Sequence, residues 1–304
     1  MKFLLRNIRG ILTFAGLTLN TIIWFTPIFL LAIVKLLLPL RGFRRAITRV
    51  LMKLGENWVS GNRLLLAGSG ATQWQASGLD ELRKDGWYLV LANHQTWVDI
   101  VVLQTVFNRR IPFLKFFIKQ ELIWFPILGV AWWALDMPFM KRHSPSYLAR
   151  HPEAKGKDLE ATRKACAKFR DTPTTVINFV EGTRFSEAKR VARKSPYQNL
   201  LAPRAGGIAV ALGSMGELFD CILDVTIVYR DGVPKFWAMC CGSRVRAVVE
   251  VTTRPIAPFL LDGKYETDRA FRRQMHQWLG DIWRDKDDRM SEILGDSQSS
   301  GRVA

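Results

Sequence analysis

The chain has 304 residues and a formal net charge of +17, from 44 Lys and Arg against 27 Asp and Glu. Its hydrophobic fraction of 48% supports a sizeable folded core and excludes a wholly disordered chain. Such a positive charge needs an anionic partner, either nucleic acid, an acidic membrane face or acidic substrates. Because one end of the chain is long and apolar, we expect an anionic phospholipid membrane and no nucleic acid.

The N-terminal segment has no charged residue from Ile11 to Val34. It is longer than the roughly 20 residues needed to cross a bilayer, and no small-x-small cleavage site follows it. The segment therefore predicts an uncleaved membrane anchor. Pro27 leaves two arrangements open, one kinked span or two short helices that dip into one leaflet. More basic residues follow the segment than precede it, which favours a cytoplasmic location for the part of the chain after the anchor.

The rest of the chain alternates between two kinds of pattern. Residues 56–86 are mixed and predict one strand at most, near Arg63 to Leu66. Further strands are predicted at Tyr88–Ala92, Ile111–Ile118, Ala134–Met140, Thr174–Phe179, Ile222–Tyr229 and Val245–Val251. Helices are predicted at Asp99–Phe107, Lys157–Arg170, Gly206–Glu217 and Tyr265–Trp283. This alternation predicts an α/β fold with a mostly parallel central sheet flanked by helices.

Three parts are expected along the chain. Residues 1–55 form the membrane anchor, a membrane helix or helical hairpin with a basic juxtamembrane segment, and residues 56–290 form the main folded domain. Residues 291–304 are polar and predict a disordered tail. The four cysteines show no CxxC spacing, so we expect reduced thiols, as in a cytoplasmic domain.

The segment from Leu89 to Val102 runs from an apolar strand through a polar turn into an apolar helix. His94 and Asp99 lie in this turn and would point roughly 140° apart on one continuous helix. If the helix begins near Thr96 or Trp97, the turn folds His94 back over Asp99. The carboxylate then holds one ring nitrogen and leaves the other free to accept a proton. The ordinary alternative, a packing histidine and a helix-capping aspartate, has equal weight at this point.

The spacing Asn-His-x4-Asp resembles the first motif of the glycerolipid acyltransferases, a family that includes the lysophosphatidic acid acyltransferases. Phe117–Gly129 is similar to the stretch that leads into the family's second motif, and Met137–Arg142 is similar to the motif itself, which ends in an arginine. Phe179–Arg184 matches the third motif, Phe-x-Glu-Gly-Thr-Arg. Three motifs in order make a chance similarity improbable. One departure is that Ile222–Tyr229 lacks the proline usual in the fourth motif.

This resemblance implies an O-acyltransferase that moves a fatty acyl group from acyl-CoA or acyl-carrier protein to the free hydroxyl of lysophosphatidic acid (1-acyl-glycerol-3-phosphate) in phospholipid biosynthesis. His94 is the expected general base, and Asp99 holds its tautomer. No metal and no cofactor are expected, since the acyl thioester is a co-substrate. The residues expected to bind the substrate phosphate are Arg142, Glu181, Gly182, Thr183 and Arg184, with Lys119 as a further candidate.

The expected location is the cell inner membrane, with the catalytic domain on the cytoplasmic side. The expected partners are the membrane, a lysolipid acceptor and acyl-CoA or acyl-carrier protein. Two alternatives stay open. One is an acyltransferase for another lysophospholipid or for an amino- or sugar-lipid. The other is a non-catalytic, basic, membrane-tethered binding protein.

Overall fold

A computed structural model describes residues 2–38, 40–70, 72–124, 128–140, 163, 166, 169–170, 172–263, 265 and 267–300. The helices are α1 (Lys2–Leu37), α2 (Arg41–Gly68), α3 (Val98–Phe107), α4 (Leu128–Ala134), α5 (Glu187–Ala192), α6 (Ala205–Met215), α7 (Phe236–Cys240), α8 (Phe259–Asp262) and α9 (Arg269–Ser300). Short 3-10 helices lie at Gln120–Trp124 and Gly216–Leu218. The strands are β1 (Thr72–Ser77), β2 (Tyr88–Ala92), β3 (Leu114–Phe116), β4 (Ile118–Lys119), β5 (Phe139–Met140), β6 (Thr175–Phe179), β7 (Cys221–Tyr229) and β8 (Val245–Arg254).

The main sheet has six strands in the order β1-β8-β7-β2-β6-β3. Neighbouring strands are parallel except for β7 and β8, which are antiparallel. The predicted α/β fold with a mostly parallel central sheet is confirmed. A second, two-stranded sheet pairs β4 with β5. In the parallel block β7-β2-β6-β3, the carboxyl ends of the strands share one edge of the sheet, where ligand sites of α/β proteins are expected.

The strand β2 shows why this sequence forms a two-faced core. All five of its residues are buried. Leu89 and Leu91 pack on one face with α6 and α9, and Val90 and Ala92 pack on the other face with α3. Because successive side chains of a strand point to opposite faces, a strand that is covered on both sides needs an unbroken apolar run.

The helix α1 is continuous for 36 residues with Pro27 inside it, followed by α2. Of the two open arrangements, the structure shows the single long helix, which packs against α2, α4 and α7. Many of its apolar side chains are exposed, among them Phe3, Leu12 and Leu37. With a mean hydropathy of 2.0 in its most apolar window, α1 is long and apolar enough to be a candidate membrane span.

The strand predicted near Arg63 to Leu66 is wrong, because these residues belong to α2. Leu64 is exposed, whereas Leu66 is buried in the core cluster that includes α3. Such alternation fits a strand as well as a helix, because hydrophobic periodicity in so short an apolar run does not distinguish the two. The first strand is β1, a polar edge strand that pairs only with β8. Its exposed position explains why its sequence lacks a strand-like pattern.

Two other predicted strands are shorter in the structure. Ile111–Ile118 contains only β3 and the first residue of β4, and of Ala134–Met140 only β5 is a strand. Between α4 and β5 the chain turns at Asp136, whose φ of 55° is left-handed. Most of the helix predicted at Lys157–Arg170 lies outside the described residues.

The C-terminal helix α9 extends further than expected. It continues to Ser300, through most of the segment 291–304 for which a disordered tail was predicted, and 301–304 lie outside the described residues. Similarly, α2 runs without a break across residue 55, where the catalytic domain was expected to begin. The division into anchor, catalytic domain and tail stays a prediction.

Candidate active site

The turn after β2 begins with Asn93, whose side-chain amide forms hydrogen bonds like those between the main chains of neighbouring strands. The buried Asn93 amide donates to the Ile227 carbonyl at 2.9 Å and accepts from the Ile227 N–H at 2.8 Å. This pair of hydrogen bonds continues the contact between β2 and β7 for one residue beyond the end of β2. The chain is therefore held in place where it leaves the sheet, and the residue that follows is His94.

The structure brings His94 and Asp99 together. The His94 Nδ1 lies 2.8 Å from the Asp99 Oδ2, and α3 begins at Val98, so Asp99 is in its first turn. The late helix start is what lets His94 fold back, as the spacing predicts. A carboxylate can only accept at this distance, so Nδ1 carries the hydrogen and the lone pair of Nε2 is free. The Asp99 side chain is fully buried, and that of His94 is 13% exposed.

The Asp99 carboxylate is surrounded by donors. Its Oδ2 also accepts from the main-chain N–H groups of Gln95 at 2.6 Å and Thr96 at 2.9 Å. Its Oδ1 accepts from the Tyr229 hydroxyl at 2.6 Å. Hydrogen bonds to a carboxylate stabilise its charged form, which offsets the cost of burying it. The donors also fix the direction in which Asp99 meets the imidazole.

An aromatic ring supports the other side of the imidazole. Phe179, the last residue of β6, stacks on His94 with ring centroids 4.0 Å apart and planes inclined by 16°. Because β6 is the neighbour of β2 in the sheet, the two rings come from adjacent strand ends. The ring of His94 is thus held between a carboxylate at its edge and an apolar face.

The Glu181 side chain joins two loops beneath the site. It is fully buried, and its two oxygens accept from the main-chain N–H of His94 at 2.8 Å and of Leu201 at 2.9 Å. Burial raises the pKa of Glu181 to about 7, although these two hydrogen bonds oppose the rise. A further main-chain bond, from the Phe185 N–H to the His94 carbonyl at 2.6 Å, ties the same loops together.

The residues after Glu181 form an exposed, basic loop. Gly182 has a φ of +66°, a left-handed conformation that suits glycine. The Arg184 guanidinium lies 4.6 Å from the ring centroid of Trp97, which is more than half exposed. The Lys189 ammonium donates to the Thr183 hydroxyl at 3.0 Å and to the Arg184 carbonyl at 2.9 Å. This loop presents positive charge beside the His94 turn.

The structure therefore places together most of the residues predicted for the site, at the carboxyl ends of β2 and β6. Arg142 lies outside the described residues, and of Lys119 only the backbone, in β4, is described, so their phosphate contacts stay predictions. Glu181 differs from the expected phosphate contact, because both of its oxygens bind main-chain N–H groups within the core. In the described part of the chain, no three His, Cys, Asp or Glu side chains are grouped as metal ligands.

Sequence reasoning did not find Phe179 or Tyr229 as site residues. Phe179 is part of the third motif, so its position was available, but the contact with His94 depends on β6 lying beside β2. Tyr229 ends β7, on the other side of β2. Both residues could have been identified only from the strand order, which the sequence does not reveal.

Comparison with known proteins agrees with this geometry. A family model described as Acyltransferase matches residues 73–229, just over half of the chain. The chain belongs to this acyltransferase family. The matched region contains the His94 turn, the Glu181 loop and Tyr229, so the site lies wholly within the part that defines the family. The resemblance stated from the three motifs is confirmed.

Several curated relatives are similar to this chain at low identity. Mouse 1-acyl-sn-glycerol-3-phosphate acyltransferase epsilon is 26% identical over 47% of this chain and 40% of its own length. The human gamma protein is 24% identical over 66% of this chain and 51% of its own length. Arabidopsis thaliana 1-acyl-sn-glycerol-3-phosphate acyltransferase 3 is 28% identical over 48% of this chain and 39% of its own length. The alignments thus span about half the length of these relatives or less.

A solved structure shares the fold. The 1-acyl-sn-glycerophosphate acyltransferase PlsC from Thermotoga maritima matches with a TM-score of 0.51 and 17% identity, over 91% of this chain and 97% of its own. At this identity the match supports the fold alone. Because it covers nearly all of both chains, the likeness includes at least part of the N-terminal helices as well as the sheet.

Proposed function

We propose that this acyltransferase transfers a fatty acyl group from acyl-CoA or acyl-carrier protein to the free hydroxyl of lysophosphatidic acid. The observation that carries the proposal is the 2.8 Å contact between His94 Nδ1 and the buried Asp99 carboxylate. It leaves Nε2 as a base at the edge of the sheet where α/β proteins bind ligands. The names of the curated relatives, which are acyltransferases for 1-acyl-sn-glycerol-3-phosphate, favour the same acceptor.

The proposed reaction uses the acceptor itself as the nucleophile. The Nε2 of His94 takes the proton of the acceptor hydroxyl while the hydroxyl oxygen attacks the thioester carbonyl carbon. The tetrahedral intermediate expels the thiolate, which takes the proton from the imidazolium, so an ester and a free thiol leave. Asp99 stabilises the imidazolium in between, the role of the carboxylate in serine hydrolase triads. No acyl-enzyme, metal or cofactor is needed for these steps.

The acceptor phosphate is proposed to bind over the basic loop beside this pair. Arg184 offers a forked guanidinium, which suits a phosphate, and Thr183 has a hydroxyl hydrogen left to donate, since its oxygen accepts from Lys189. Arg142 and Lys119 remain proposed further contacts. We assign Glu181 to shaping this region, because its carboxylate links the His94 turn to Leu201 rather than facing an anion.

The proposed location is the inner membrane, with the catalytic domain on the cytoplasmic side. The exposed apolar side chains of α1 favour association with lipid, and the net charge of +17 favours an anionic leaflet. A membrane location also suits the substrate, because a lysolipid acceptor and its diacylated product both partition into the bilayer.

The decisive test is His94→Ala. We expect the rate of acyl transfer to fall by a factor of about 10² to 10⁴, the usual contribution of a general base. The assay supplies labelled acyl-CoA or acyl-carrier protein with lysophosphatidic acid in detergent micelles. His276→Ala is the matched control, because His276 is exposed on α9 and its ring contacts only the Tyr265 hydroxyl among the described hydrogen bonds. Undiminished turnover by His94→Ala would refute the proposal.

An acceptor panel separates the proposed substrate from its alternatives. Lysophosphatidic acid is compared with lysophospholipids that carry a headgroup and with amino- and sugar-lipids. We expect the highest kcat/KM for lysophosphatidic acid, because Arg184 and Thr183 lie beside the base. A higher value for an acceptor without phosphate would contradict the assignment of this loop. No transfer to any acceptor would favour the binding protein that lacks catalysis.

A further inference from the structure

Among the described hydrogen bonds, Tyr229 is the one side chain outside the His94 turn that binds Asp99. It ends β7, 130 positions away from Asp99, and its hydroxyl lies 2.6 Å from the Asp99 Oδ1. Both side chains are buried, with Tyr229 only 3% exposed. The three other donors, from His94, Gln95 and Thr96, all bind Oδ2. In the described part of the chain, Oδ1 thus depends on Tyr229 alone.

We propose that Tyr229 is a positioning residue that sets the basicity of His94 through Asp99. This inference rests on the proposed function of the His94 and Asp99 pair and adds a residue to it. Tyr229 does not touch the reacting atoms. It acts on the carboxylate, which in turn acts on the imidazole.

The fold explains why a residue so distant in sequence reaches Asp99. Parallel pairing places Ala92 beside Val225, so the last residues of β7 extend beyond the end of β2. The ring of Tyr229 packs in the same core cluster as Val98 and Val102 of α3, the helix that carries Asp99. The hydroxyl therefore comes from the sheet and Asp99 from the helix that covers it. Their contact crosses the core between β7 and α3.

The hydroxyl can only be the donor in this contact, since a carboxylate accepts. Burial and the neighbouring Asp99 charge raise the pKa of Tyr229 well above its usual value of 10. The phenol thus keeps its proton over the whole range in which an imidazole titrates. It is a constant donor, and it neutralises part of the charge at Oδ1 at every working pH.

This partial neutralisation has a direct effect on the base. A carboxylate that shares its charge with Tyr229 attracts the imidazolium less than one that does not. Without the hydroxyl, Oδ1 would be a buried oxygen with no donor, and the charge of Asp99 would favour protonated His94 more strongly. More of the enzyme would then be protonated, and inactive as a base, near neutral pH.

The test is the pH dependence of kcat/KM for Tyr229→Phe, from about pH 5 to about pH 9, with acyl-CoA and lysophosphatidic acid. Glu181, which accepts from the His94 N–H and has a pKa of about 7, is present in both proteins, so the shift between them isolates the effect of Tyr229. We expect the midpoint of the acid limb to move up by about one pH unit, with the high-pH plateau changed by less than about threefold. Tyr88→Phe is the matched control, because Tyr88 is also buried in the sheet but its hydroxyl accepts from the Arg83 N–H. An equal loss at every pH, with no change in midpoint, would overturn the inference.

A second variant guards against misfolding of Tyr229→Phe. 3-Fluorotyrosine at position 229 keeps the ring and makes the hydroxyl a stronger donor, so the midpoint should move down instead of up. Opposite shifts from the two substitutions support the proposal. A shift in the same direction in both, or none with fluorotyrosine, contradicts it.

A readout without substrate separates this inference from the proposed function. Diethyl pyrocarbonate modifies neutral imidazole, and its rate of reaction with His94, followed by peptide mass spectrometry across the pH range, gives the same midpoint. A higher midpoint in Tyr229→Phe supports the inference even if lysophosphatidic acid is not the acceptor. An unchanged midpoint beside an active wild-type enzyme refutes the role of Tyr229 and leaves the proposed function standing.

Discussion

The strand-end site and the N-terminal helix α1 depart in opposite ways from the rule that apolar residues lie inside and charged ones outside. In the site, Asp99 and Glu181 are fully buried, and each has hydrogen-bond partners for both oxygens. Along α1, apolar side chains such as Leu12 and Leu37 are exposed. Both departures cost free energy in water, so each indicates a function. The site is built from directional contacts with named partners, whereas α1 presents a surface that requires only an apolar environment.

The largest effect should come from breaking the directional contacts of Asp99. We expect Asp99→Asn to reduce kcat/KM by about 10³-fold, because an amide cannot accept from the imidazole and from all the other donors that the carboxylate binds. Steady-state kinetics with lysophosphatidic acid measures the loss. Asp281→Asn, which changes an exposed carboxylate on α9, is the control. Activity close to wild type in Asp99→Asn would mean that the carboxylate does not orient the base.

The second prediction tests whether the exposed face of α1 needs only an apolar environment. Ile23→Asp places a charge on the exposed face of α1 near the middle of the uncharged stretch, and a charge at the centre of a bilayer costs about 2.5 to 3.5 kcal/mol. Binding to vesicles that contain anionic lipid should weaken by roughly 100-fold, as measured by sedimentation. The thermal unfolding of the catalytic domain should stay the same.

Ile28→Ala is the contrasting change on the same helix. Ile28 is 1% exposed and packs in a core cluster with Ala134 and Leu135. Its truncation should lower the free energy of unfolding by about 2 to 5 kcal/mol with little effect on vesicle binding. If Ile23→Asp destabilised the fold as much as Ile28→Ala, the exposed face of α1 would be a protein contact and not a lipid contact.

The fourth prediction concerns Glu181. Glu181→Gln should lower the free energy of unfolding by about 1 to 3 kcal/mol, because an amide can accept from only one of the two N–H groups that now share the carboxylate. The pH dependence should change as well. Since the folded pKa is about 7 and the ordinary value is 4.5, the folded state binds the proton more tightly than the unfolded state. This group therefore stabilises most below pH 4.5, and its contribution declines as the pH rises to about 7.

The measurement for Glu181 is chemical unfolding of both proteins at several pH values in that window. Subtracting the stability of Glu181→Gln from that of the wild type isolates the titrating group. The difference should shrink as the pH rises. A difference that grows with pH would show that burial does not dominate the protonation of Glu181.

The smallest effect is expected at the exposed edge of the site. Trp97→Ala removes the ring beneath the Arg184 guanidinium, a contact worth about 0.5 to 1 kcal/mol at an exposed position. The KM for lysophosphatidic acid should rise by roughly two- to fivefold with kcat almost unchanged. Trp237→Ala, at an exposed tryptophan on α7, is the control. A fall in kcat alone would indicate that Trp97 supports the His94 turn rather than Arg184.

The sequence by itself determined the parts of this protein that are local. His94 and Asp99 are five positions apart in a turn, so their contact follows from where α3 begins. The third motif is similarly a single loop after one strand. Apolar runs such as β2 and the long helix α1 were also predictable, because a strand buried on both faces, or a helix able to cross a bilayer, requires an unbroken apolar sequence.

Only the tertiary structure decided which distant residues meet. Tyr229 reaches Asp99, and Phe179 covers His94, because β7 and β6 flank β2, and the strand order is not written in any one segment. Glu181 binds the main-chain N–H groups of His94 and Leu201 for the same reason, since these two residues belong to separate loops. Hydropathy and spacing describe one stretch of chain at a time, whereas these contacts depend on how the sheet brings several stretches together.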